Sequence, residues 1–127
     1  MRIETYFSTL QKRLWAHPSI AGLDIGLDTR SATVGYIRGQ IYFDDGHILH
    51  VREYVDTEGG PVKYLYVYHF MAPDGTQVFR YDNSGHHREL RTFPHHRHGR
   101  TDEKVSETAE PDLDRALDEA EQHLDFT

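Results

Sequence analysis

The 127-residue chain is the size of one domain, long enough to bury about two thirds of its unfolded surface without covalent help. It has no cysteine, which excludes disulfides, thiol nucleophiles, CxxC redox chemistry and iron–sulfur clusters, and leaves only histidine and carboxylate for any metal. Its net charge of −7 is a local property: residues 102–127 carry ten acids and two bases, while residues 1–101 carry eleven acids and twelve bases, so overall acidity does not argue against an anionic partner.

Ile3, Tyr6, Phe7, Leu10 and Leu14 recur at helical spacing and predict an N-terminal amphipathic helix. His17-Pro18 ends it, because proline pushes the preceding residue out of the α region. Ile20 to Leu27, interrupted by Gly22 and Gly26, is a weak strand signal. From Thr33 the period changes to two and the residues become Val, Ile, Tyr and Phe, as in strands. Asp44-Asp45-Gly46, Thr57 to Pro61 and Pro73-Asp74-Gly75 are the turn signals between segments ending at Phe43, Val55, Met71 and Tyr81. Connections this short allow only antiparallel pairing.

In the third of these strands Tyr64, Tyr66, Tyr68 and Phe70 share one face, and an aromatic stripe at period two reads as core. His69, between Val67 and Met71, reads as a hydrogen-bonded core histidine. Arg52 and Glu53 must point to opposite faces, which makes Glu53 a candidate buried carboxylate. Asp82 to Arg100 is irregular and basic, and residues 99–109 read as a flexible connector. Pro111 suits the first position of an acidic C-terminal helix over about 110–125, with Leu113, Ala116, Leu117, Ala120 and Leu124 as its apolar stripe. The expected fold is one α+β domain over 1–127: an N-terminal helix, an antiparallel meander of four to five strands, and a C-terminal helix. No apolar run reaches the length of a signal core or a membrane span, so a cytoplasmic protein without membrane contact is expected.

Six of the ten histidines fall between His69 and His98, among arginines. Metal-free cleavage of a phosphodiester needs a base, an acid and cations for the charged transition state. Histidine fills either proton role near neutral pH, and arginine matches phosphate with a two-pronged fork. His86, His95, His96 and His98 are therefore the acid/base candidates, with Asp82 to orient a histidine. Arg80, Arg91 and Arg97, with Tyr81 and Asn83, are the substrate-binding candidates. A divalent metal competes for the same residues. If residues 96–98 are extended, His96 and His98 project to one side and His86 or His87 completes the set, while His95 points away. The spacing matches no standard zinc pattern, and no cofactor is the favoured expectation. A plain solvated loop is the non-functional alternative.

The tract YIRGQIYFDDGHILHVREYV, the YxYxYxF strand and the segment RYDNSGHHRELRTFPHHRH together resemble the TumE-type toxin family of toxin–antitoxin modules. The resemblance runs from about Tyr36 to His98, and Arg80, Tyr81, Asp82, Asn83, His86, His95, His96 and His98 match its recurrent pattern. It implies a small toxin neutralised by a helix-turn-helix antitoxin. A helix followed by an antiparallel sheet is also similar to the RelE-like messenger-RNA interferases, by fold analogy alone. The expected function is a type II toxin that targets RNA as a ribonuclease. The alternatives are a binding module that uses the same loop to hold nucleic acid or a partner protein, and a histidine-metal hydrolase. A homodimer is a further expected assembly to test.

Overall fold

The computed structural model describes residues 1–101 and 105–125. The chain runs α1 (Ile3–Trp15), β1 (Ile20–Thr29), β2 (Val34–Phe43), β3 (Ile48–Asp56), β4 (Val62–Met71), β5 (Gln77–Asp82), β6 (His96–His98), β7 (Val105–Glu107) and α2 (Leu113–Glu121). The strands form one antiparallel sheet in the order β1 to β7, each paired with its neighbour in sequence. The turn into β3 uses Gly46 at φ 95°, a conformation that disfavours a side chain.

The meander has seven strands, where four to five are expected from the sequence. Glycines at 22 and 26 dilute the strand signal of β1, yet β2 pairs with it from Ile20 to Thr29. β6 and β7 are three residues each, too short and too polar for hydrophobic alternation to reveal. They exist because the outer edge of β5 offers Arg80, Tyr81 and Asp82 for pairing, which His98, Arg97 and His96 take up. β7 falls inside the segment expected as a connector; residues 102–104 of that segment lie outside the described residues.

One sheet face is apolar and carries both helices. Ile37, Ile41, Leu49, Val51, Tyr66, Tyr68 and Phe70 pack there in a single core with Ile3, Phe7, Leu10 and Leu14 of α1 and Leu113, Ala116, Leu117 and Ala120 of α2. Gly35 lets α1 sit this close, because a Cβ there would lie 2.5 Å from both Ile3 and Phe7. Tyr64 departs from the expected core row. The β3–β4 register shifts between Tyr54 and Val55, and Tyr64 is left exposed.

α2 starts at Leu113 with Asp112 as its cap, whose Oδ1 accepts from the Arg115 amide at 2.8 Å. Pro111 thus precedes the cap instead of opening the helix. Three acids of α2 are engaged on the helix-bearing side: Asp114 with Arg13 at 3.1 Å, Glu119 with Arg97 at 2.8 Å, and Glu121 with His17 at 2.5 Å. Among the described residues no helix is long and apolar enough to cross a membrane.

Candidate active site on the open face of the sheet

Alternation along the strands sends every second side chain to the face that bears no helix. The registers align these side chains across the sheet. Gln40, His50, His69, Arg80 and His98 are successive cross-strand partners from β2 to β6, and Arg38, Arg52, Val67, Asp82 and His96 form the row beside them. Tyr36 and Tyr54 continue this face, with ring centroids 6.3 Å apart, and the Arg52 Nε donates to the Tyr36 hydroxyl at 3.0 Å. The open face is thus a band of imidazoles and guanidiniums flanked by aromatic rings. Burial pushes His50 below 6.5, and the positive charges of Arg52, Arg38 and Arg80 add to the shift.

Asp82 anchors the β5–β6 end of this band. Its Oδ1 lies 2.9 Å from His96 Nε2 and accepts from the Ser84 amide at 3.0 Å; its Oδ2 accepts from Arg80 Nε at 3.0 Å and lies 3.8 Å from His98 Nε2. Burial alone would raise the Asp82 carboxyl, but the Ser84 amide and hydroxyl, with His96 and Arg80, hold it below the usual carboxylate range. The other ring nitrogen of His96, Nδ1, is 3.0 Å from the Pro94 carbonyl. Both nitrogens of His96 thus face acceptors.

His87 completes the cluster from the loop between β5 and β6. Its backbone sits at φ 62°, uncommon for a residue with a side chain, and its ring centroid lies 5.0 Å from that of His96 and 5.7 Å from that of His98. One ligand atom from each of His87, His96 and His98 can be chosen so that all three lie within 4.8 Å of one another. Asp82 and His96 are buried, His98 is nearly so, and Arg80 and His87 are partly exposed.

Of the residues singled out in the sequence, Asp82, Arg80, His96 and His98 converge here. The others do not. His95 points through to the helix-bearing face, where its Nδ1 meets the Tyr66 hydroxyl at 2.8 Å and its ring stacks on that of Tyr66. His86 is exposed outside the cluster, and His87 takes the third place. Arg97 shares the parity of His95: its guanidinium covers Phe79 and Tyr81 and bonds to Glu119. Tyr81 is buried beneath it. Asn83 serves the backbone, accepting from the Tyr66 amide at 3.0 Å and donating to the Tyr64 carbonyl at 3.1 Å. Arg91 is exposed, with its amide donating to Glu107 at 3.3 Å.

His69, expected in the core, instead lies half-buried on the open face between His50 and Arg80. Glu53 is buried as expected, but on the opposite side, where it accepts from the Tyr6 and Tyr68 hydroxyls at 2.5 Å each. It lines a cavity of about 410 Å³ together with Lys63, whose amine donates to Tyr68 and to the Pro111 carbonyl. Sequence reasoning passes over Arg38, His50 and Arg52 as site residues. Their signal is parity: where Ile37, Ile41, Leu49 and Val51 point inward, Arg38, Gln40, His50 and Arg52 share the other face.

No curated protein and no solved structure matches the chain. The sequence model of the family described as Toxin TumE matches residues 10–125, which include the C-terminal part of α1, all seven strands, α2 and the Asp82 cluster. The chain belongs to the TumE family of toxins.

Proposed function

We propose that this toxin inhibits growth as a metal-independent ribonuclease whose substrate lies on the open sheet face. Membership of a toxin family implies an antitoxin as partner; the finer reading rests on the site. The observation that carries it is the convergence of Asp82, Arg80, His96, His98 and His87 at one end of a band containing Arg38 and Arg52. Guanidiniums across the band suit successive phosphates, and Tyr36 and Tyr54 offer ring faces to unpaired bases.

His98 and His87, the imidazoles of the cluster with the more exposed side chains, exchange the protons. One takes the proton of the ribose 2′-hydroxyl as its oxygen bonds to phosphorus. The other gives a proton to the 5′-oxygen as its bond to phosphorus breaks. The products are a 2′,3′-cyclic phosphate and a free 5′-hydroxyl, and the two histidines have exchanged protonation states. Arg80 offsets the charge that builds on the phosphoryl oxygens. His96, buried between Asp82 and the Pro94 carbonyl, is a positioning residue. An antitoxin of the helix-turn-helix type that masks this face would present carboxylates to it.

The test is expression in a bacterial host. The wild-type chain should arrest growth, and His98→Ala, folded by circular dichroism, should not. Arrest that survives both His98→Ala and Arg80→Ala would contradict the proposal.

A further inference from the structure

We infer that His87, His96 and His98 bind one divalent ion of the zinc, cobalt and nickel class. The inference does not depend on the RNA reading above. Three imidazole nitrogens from two chain segments come within 4.8 Å of one another, and an all-nitrogen set selects borderline-soft transition ions over magnesium and calcium, which demand oxygen. Tetrahedral zinc with bonds of about 2.1 Å would hold such nitrogens roughly 3.4 Å apart, so binding requires a contraction of up to about 1.4 Å from the 4.8 Å limit. The groups able to make it are unequal. His96 and His98 sit two residues apart on β6 and share a face rigidly, whereas His87 is in the loop before it.

The surroundings supply what a ligating histidine needs. The contact between His96 Nδ1 and the Pro94 carbonyl, at 3.0 Å, is the outer bond that fixes the ring, and Nε2, the atom the ion would take, faces Asp82 in its absence. Asp82 lies 2.9 Å from that Nε2 and 3.8 Å from His98 Nε2, and places a negative charge beside the incoming cation. The His87 backbone sits at φ 62°, and its ring lies against those of His96 and His98.

Full-length protein without a histidine tag, freed of metal with a chelator that is then removed, should be titrated with zinc chloride by calorimetry and with cobalt chloride by visible absorption. One equivalent should bind, with cobalt bands of nitrogen coordination. His87→Ala, at an irregular loop position outside the apolar core, should weaken binding at least tenfold. His98→Ala should do the same, and Asp82→Asn should weaken it about 10- to 100-fold. His86→Ala and His95→Ala, which lie outside the cluster, should leave it unchanged. Absence of zinc binding, or a loss in the His86 or His95 variant equal to that in the His87 variant, would overturn the inference. An RNA cleavage assay separates the two proposals. Cleavage in chelator that zinc suppresses supports both, cleavage only with zinc supports the ion site and refutes the metal-free reaction, and cleavage without any zinc binding refutes the ion site alone.

Discussion

Asp82 and His96 face each other across the β5–β6 pairing, 2.9 Å apart and both buried. The pair ties the outer edge of the sheet to the loop before it, because the same carboxylate also accepts from Arg80 and from the Ser84 amide. Removing the carboxylate leaves the buried His96 ring and the Arg80 guanidinium without the acceptor they share. Asp82→Ala should therefore cost about 3–5 kcal/mol of folding stability, read as a fall in the denaturant midpoint at unchanged slope. A cost below about 1 kcal/mol would show that the pair is solvated.

His50 reports the charge of the open face. It faces Arg38, Arg52, Arg80 and His69, and burial together with the three guanidiniums holds its titration below 6.5. The folded protein resists a proton that the unfolded chain accepts, so the His50 contribution to stability is fully present above 6.5 and is lost as pH falls through the folded value. Proton NMR should find the His50 midpoint below 6.5, and a short RNA oligonucleotide should raise it by placing phosphates among the guanidiniums. A midpoint that ignores saturating RNA would place the RNA elsewhere.

Arg38 and Arg52 are expected to act as phosphate contacts. Charge reversal of either should weaken binding of single-stranded RNA at all sequences alike and reduce the slope of log affinity against log salt by about one. Filter binding over a salt series measures both quantities. Binding that falls for one RNA sequence only would indicate base reading instead.

The acidic C-terminal helix belongs to the core. Leu117 is fully buried, and Arg97 and Arg13 bind acids of α2 on the helix-bearing side, opposite Asp82. Leu117→Ala should cost about 2–5 kcal/mol, and deletion of residues 110–127 should unfold the protein. A truncated chain that stays folded would show that α2 is no part of the core.

The helices and the central strands are legible in the sequence because their apolar residues repeat at 3.6 or 2.0: Ile3, Phe7, Leu10 and Leu14 predict α1, and Tyr66, Tyr68 and Phe70 predict the buried side of β4. β6 carries its information in pairing, since His96, Arg97 and His98 contain no apolar residue to mark a period. That determined what could be known of the site. Extended geometry at His96 and His98 correctly puts the two rings on one side and His95 on the other. Which side each faces depends on register with β5, and it is register that separates Arg80 from Arg97, one on the open face and one under α2. The choice of His87 over His86 depends on a left-handed backbone at residue 87, for which a non-glycine residue gives no local signal.

In the reaction proposed above, the open-face cluster cleaves RNA by proton transfer through histidine. That reaction is tested most directly by incubating the purified full-length toxin with single-stranded RNA in excess chelator and analysing the new ends. The wild-type chain should produce 2′,3′-cyclic phosphate and 5′-hydroxyl ends, and His98→Ala, still folded, should be slower by about 10² to 10⁴. Intact RNA with the wild-type protein, or equal cleavage by the variant, would contradict it.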